Sequence, residues 1–183
     1  QVKEITIEVN PDDITKDYIS HFRELPINRV SMGVQSFNDR LLNIIGRRHN
    51  SQKAIEAYTL LRESGVDNIS IDLMFSLPTQ TIEEWDESIS QAISLQPQHI
   101  SAYDLSYEPG SVLTQKLKRG EIEVCSDETS IAMYNMLIDK LSMAGYEHYE
   151  ISNFALQGYC SQHNSGYWSG VPYLGLGASA HSF

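Results

Sequence analysis

From Lys3 to Val9 apolar and polar residues alternate, and Asn10-Pro11 stops the run, so the pattern predicts a strand. Thr15 follows as a helix cap, with Tyr18, Phe22 and Leu25 on one face of a helix that Pro26 ends. Arg29 to Val34 reads as a second strand. A short helix from Asn38 to Ile45 breaks at Gly46, and Ser51 opens a longer one, with Ala54, Ala57, Tyr58 and Leu61 on one side and Gly65 at its close. Asn68 to Met74 is a third strand. Thr81-Ile82-Glu83-Glu84 has the form of a capping box, backed by Trp85, Ile89, Ala92 and Ile93 and ended at Pro97. His99 to Leu105 is a fourth strand. Ser126 starts an amphipathic helix through Ile131, Tyr134, Leu137, Ile138 and Leu141, stopped by Gly145, and Glu147 to Ile151 reads as a fifth strand. Past Asn153, residues rich in Gly, Ser, Tyr and Asn predict loops and short elements.

Strands alternating with helices imply βα units and a parallel sheet, either doubly wound or an arc of a (β/α) barrel. No Gly-x-Gly-x-x-Gly follows a strand, which favours the barrel arc. Polar residues recur where the predicted strands end: Glu8, Gln35, Asp72, Asp104 and Ser106. In such folds ligands sit at that end, where a carboxylate can receive an ammonium group or ribose hydroxyls. Taken singly, each of these acids reads equally as a solvated or ion-paired residue.

Composition narrows the function classes. The 183 residues suit one sizeable core, 41% are apolar, and a net charge of −11 argues against a nucleic-acid partner. No apolar run is long enough to span a bilayer, so a protein without an integral membrane segment, in the cytoplasm, is expected. Cys125 and Cys160 are too few for a disulfide framework, and two thiolates alone do not hold a four-iron cluster.

Three segments in order, Ile5-Thr6-Ile7-Glu8-Val9-Asn10-Pro11, Asn28-Arg29-Val30-Ser31-Met32-Gly33-Val34-Gln35-Ser36-Phe37 and Ile71-Asp72-Leu73-Met74-Phe75-Ser76-Leu77-Pro78-Thr79-Gln80-Thr81, resemble the oxygen-independent coproporphyrinogen oxidase group of radical SAM proteins. Gly145-Tyr146-Glu147 to Asn153-Phe154-Ala155 and Tyr173-Leu174-Gly175-Leu176-Gly177-Ala178-Ser179-Ala180-His181-Ser182 extend the resemblance over essentially the whole chain. It implies a partial (β/α)6 TIM-like barrel over residues 1–183, begun at about the family's third strand, so that β-pairing at that edge is left open and the isolated chain is expected to associate. It also implies a [4Fe-4S] cluster on a Cys-x-x-x-Cys-x-x-Cys loop that this sequence does not contain. The S-adenosylmethionine contacts it implies are Glu8, Gln35, Arg47, Asp72, Ser106 and His181; on sequence alone Arg47 is equally a basic residue at a helix end.

Within the group, His163-Asn164-Ser165-Gly166-Tyr167-Trp168 is similar to the His-Asn-x-x-Tyr-Trp motif of a heme chaperone branch. That branch implies heme held by His163, Tyr167 and Trp168, with His163 and Cys160 as iron ligands, and heme-accepting proteins as partners. The alternatives are the decarboxylating oxidase, and a binding module without redox chemistry; a His among aromatic residues in a loop is also commonly structural.

Overall fold

The computed structural model describes residues 2–22, 24–177 and 180–183. Its strands are β1 (Thr6–Val9), β2 (Arg29–Gln35), β3 (Ile69–Phe75), β4 (His99–Asp104), β5 (Glu147–Glu150) and β6 (Asn153–Ala155). Around them lie α1 (Lys16–Phe22), α2 (Asp39–Ile44), α3 (Ser51–Glu63), α4 (Ile82–Leu95), α5 (Val112–Lys118), α6 (Asp127–Met143) and α7 (Gln162–Trp168). One six-stranded sheet runs in the order β1-β2-β3-β4-β6-β5. The first four strands pair in parallel, each reached through intervening helix, as βαβ connections require. β1 lies at one edge.

The sequence places β5 in this parallel series, but the structure makes it half of an antiparallel hairpin. Only Ile151 and Ser152 separate β5 from β6, too short for a crossover, so the chain reverses and β6 pairs antiparallel with both β4 and β5.

Val30, Met32, Ile69, Ile71, Leu73 and Ile100 are among the strand residues of the core. Ala54, Ala57 and Leu61 from α3, Trp85 and Ile89 from α4, and Met133, Leu137 and Leu141 from α6 cover it. The Trp85 indole is fully buried and donates Nε1–H to the Met133 carbonyl at 2.9 Å, tying α4 to α6. The capping box closes as the sequence predicts. Glu84 N–H donates to Thr81 Oγ1 at 3.2 Å and Thr81 N–H to Glu84 Oε2 at 3.0 Å.

Two apolar assignments are corrected. Ile131 is 61% exposed, because the buried stripe of α6 is Met133, Leu137 and Leu141 at four-residue spacing. A residue two positions from that stripe points about 200° around the helix. α1 stops at Phe22, and Leu25 sits exposed in the turn before Pro26, since a residue preceding proline disfavours the helical region. α5, capped by Ser111, has no counterpart among the predicted elements. Among the described residues no helix is long and apolar enough to cross a membrane.

Candidate functional site

Because side chains alternate along a strand, Thr6 and Glu8 share one face of β1, and Arg29 and Ser31 share one face of β2. With Asp72 on β3 and Ser101 and Tyr103 on β4 they line a cavity of about 470 Å³, closed at one side by Glu4, Ser161, His163 and Asn164. Two predicted cofactor positions, Glu8 and Asp72, and the predicted heme position His163 therefore open onto one space.

Asp72 is the electrostatic centre. Ser31 donates its hydroxyl toward both carboxylate oxygens at 3.1 Å, and Ser70 Oγ lies 3.3 Å from Oδ1. Burial still pushes its pKa up to about 6, against the hydrogen bonds from Ser31 and Ser101 and the charge of Arg29; Glu8 adds to the upward push. Ser70 also meets His99 Nδ1 at 2.8 Å, and His99 Nε2 lies 2.8 Å from the Tyr149 hydroxyl, which accepts Ser161 N–H at 3.2 Å. His99 is fully buried, and burial, helped by Arg29, drives its pKa down to about 3, so the ring is neutral.

Gln35 and Arg47 lie above Gly33, the register partner of Asp72. Arg47 Nη2 donates to the Gly33 carbonyl at 3.0 Å, while its Nε is buried without a partner. A Cβ built on Gly33 would stand 2.8 Å from both Arg47 Nη2 and Gln35 Nε2, so only glycine lets these two side chains close over the strand. Gln35 has φ +66°, a strained value for a non-glycine residue, at a bulge in the β2–β3 register. Buried His49, bonded to the Val34 carbonyl at 3.0 Å, anchors the loop that carries Arg47.

α7 is a short element of the kind expected past Asn153, and it is helical. Ser161 caps it through Asn164 N–H, and the Glu4 carboxylate accepts from Gln162 N–H at 2.9 Å and His163 N–H at 3.4 Å. His163 and Tyr167, one turn apart, make an edge-to-face pair at 4.6 Å that continues to Tyr173 at 4.8 Å. Trp168 is 69% exposed and donates Nε1–H to Glu150 at 3.1 Å.

Seven predicted positions do not line the cavity: Gln35 and Arg47 lie above Gly33, Tyr167 and Trp168 lie on α7, and Ser106, His181 and Cys160 lie elsewhere. Ser106 is exposed in the segment after β4, and His181 is exposed in the last segment, where Tyr173 and Phe183 exchange backbone hydrogen bonds. Ala178 and Ser179 of the resemblance lie outside the described residues. Cys160 is half-buried and does not line the cavity; burial, then Glu147, raises its pKa and disfavours the thiolate that iron would need. Sequence reasoning missed Glu4, Arg29, Ser31 and Ser101. The signal was available, since Glu4-x-Thr6-x-Glu8 and Arg29-x-Ser31-x-Gly33 put polar residues on one face at period two.

Residues 1–92 match the family model described as the Radical SAM superfamily, and the chain belongs to that superfamily. Among curated relatives it is 40% identical over 182 residues to "Heme chaperone HemW" of Bacillus subtilis (strain 168), covering 100% of this chain and 48% of that protein. It is 36% identical to the protein of the same name from Lactococcus lactis subsp. lactis (strain IL1403), again at 100% and 48% coverage, and 36% identical to that of Escherichia coli (strain K12), at 97% and 46%. The chain spans about half the length of these relatives. The solved coproporphyrinogen III oxidase (HemN) of Escherichia coli superposes with TM-score 0.79 at 26% identity, covering 98% of this chain and 44% of that one. The open arc of strands is thus a partial TIM-like radical SAM barrel.

Proposed function

We propose that the chain is the cofactor- and heme-facing part of a radical SAM heme chaperone, which binds heme and passes it to acceptor proteins in the cytoplasm. One observation carries this reading: His163 faces the same cavity as Glu8 and Asp72. The similarity to curated heme chaperones over the whole chain supports it. Glu8 suits the ammonium group of S-adenosylmethionine, Asp72 its ribose hydroxyls, and Arg47 its carboxylate. The Gly33 cradle and the unpartnered Arg47 Nε fit such a ligand. Bound S-adenosylmethionine supplies radical chemistry when a reduced cluster accompanies it.

The cluster is another matter. Among the described residues no group of three or more His, Cys, Asp and Glu is placed to hold a metal.

Heme would meet the imidazole of His163, with Tyr167 and Trp168 as flat apolar neighbours. The HemN likeness favours the decarboxylating oxidase as second reading. Full-length protein with an intact cluster separates the two. The chaperone reading expects heme transfer to an apo-acceptor, followed by absorbance, and no decarboxylation of coproporphyrinogen; turnover of coproporphyrinogen without transfer reverses the assignment.

A further inference from the structure

Ser70 and His99 are register partners on β3 and β4, and both are fully buried. Ser70 lies two residues before Asp72, on the same face of β3. The Tyr149 hydroxyl, on β5, has two partners among the described residues: it accepts Ser161 N–H at 3.2 Å and lies 2.8 Å from His99 Nε2. Burial pushes its pKa up to about 12, so it keeps its hydrogen at neutral pH. A hydroxyl has one hydrogen to give, and here that hydrogen goes to His99 Nε2. The neutral ring then carries its own hydrogen on Nδ1, which donates to Ser70 Oγ at 2.8 Å, and Ser70 in turn donates to Asp72 Oδ1 at 3.3 Å. Each donor therefore points from the start of α7 toward Asp72. Ser161 is also the N-cap of α7 and places His163 in its first turn. His163 borders two spaces, the polar cavity and a second recess lined by Tyr167, Val171 and Tyr173.

We infer that His99 is a positioning residue: through Tyr149 it fixes the start of α7, and hence His163, and through Ser70 it ties that position to the Asp72 carboxylate. This role rests on the readings above of His163 as a heme contact and of Asp72 as the acceptor of ribose hydroxyls, and it supplies the residue that joins them. His99 does not line the cavity, so it acts on either ligand only through its neighbours. Heme suits the aromatic side of His163 and S-adenosylmethionine the carboxylate-lined side, so the two need not touch. Ribose hydroxyls donating to Asp72 compete with Ser70 for the same carboxylate. Each bond in a buried chain is polarised by the next, so occupying Asp72 alters the hold of Tyr149 on Ser161 N–H. Such linkage is reciprocal: each ligand changes the affinity of the other by the same factor. Glu4 grips the same turn of α7 independently, so cutting the chain at Tyr149 leaves the helix a second anchor.

The test is a heme titration followed at the Soret band, on full-length cluster-loaded protein without reductant, with and without saturating S-adenosylmethionine. In the unmodified protein heme affinity is expected to differ about fivefold or more between the two conditions. Tyr149→Phe removes only the hydroxyl and keeps the ring beside His99, and it is expected to bring that ratio to about one. His99→Gln, whose amide reaches the place of Nε2 but not that of Nδ1, is expected to keep most of the heme affinity and lose the ratio. His99→Asn, which reaches only the Ser70 side, is expected to lose both. A ratio of one in the unmodified protein overturns the inference while leaving the heme reading intact, and needs no variant to fold. A ratio that survives in Tyr149→Phe and His99→Gln also overturns it, because the two ligands then influence each other without the chain. A purely structural role for His99 would lower the thermal midpoint of its variants and leave the ratio as it was. Failure of the unmodified protein to bind heme removes the heme reading, and this inference with it.

Discussion

Acidification should act on this fold through two buried groups that pull in opposite directions. His99 has a folded pKa of about 3 against 6.5 for a free imidazole. Because that value is depressed, its contribution is complete above pH 6.5 and is lost as the pH falls toward 3. At about 1.4 kcal/mol per pH unit, the whole interval is worth about 5 kcal/mol. Asp72 runs the other way, from 3.8 up to about 6. Its burial penalty is absent below pH 3.8 and grows as the pH rises to about 6, amounting to about 3 kcal/mol. Between pH 4 and 6 the two nearly cancel. Single substitutions unmask them: relative to the unmodified protein, His99→Gln should gain about 1.4 kcal/mol per unit as the pH falls from 6 to 4, and Asp72→Asn should lose by a similar slope. Urea unfolding of the three proteins from pH 4 to 7.5 reads these differences directly, with contributions common to all three removed. Differences independent of pH within about 0.5 kcal/mol, in both variants, would refute the linkage argument.

Gly33→Ala should lower S-adenosylmethionine affinity about tenfold by titration calorimetry, since its methyl displaces the ends of Gln35 and Arg47. Because those ends are flexible, the thermal midpoint should move by only a few degrees. Thr81→Ala should cost about 1 kcal/mol in urea unfolding, by removing the cap on Glu84 N–H, and leave ligand binding unchanged.

The parallel part of the fold was legible because each of β1 to β4 carries a period of two or a short apolar run bounded by Pro, Gly or a capping residue. Glu8 was legible as a strand-end acid; Asp72 was read the same way but lies in the middle of β3, and the parallel pairing brings both to one cavity. The hairpin was not, because a run such as Glu147 to Glu150 says nothing about its partner; the two residues before Asn153 decide it. The short elements expected past Asn153 could not be named as the helix α7, because Ser, Gly and Asn are weak helix formers and its stability draws on Ser161 and on Glu4, 157 residues away in sequence. Arg29 looks like an ordinary first strand residue until its burial and missing partner are seen. Cys160, three residues before His163, looked like a second ligand, but chain proximity does not bring its sulfur into the cavity.

The central claim is that His163, which faces the cavity that Glu8 and Asp72 also line, is a heme contact. A heme titration of the full-length protein, followed at the Soret band, tests it most directly when His163→Ala and Cys160→Ala are run beside the unmodified protein. Saturable binding that His163→Ala weakens and spectrally shifts, while Cys160→Ala leaves it unchanged, is the predicted result. Binding indifferent to His163, or no binding at all, would contradict the account.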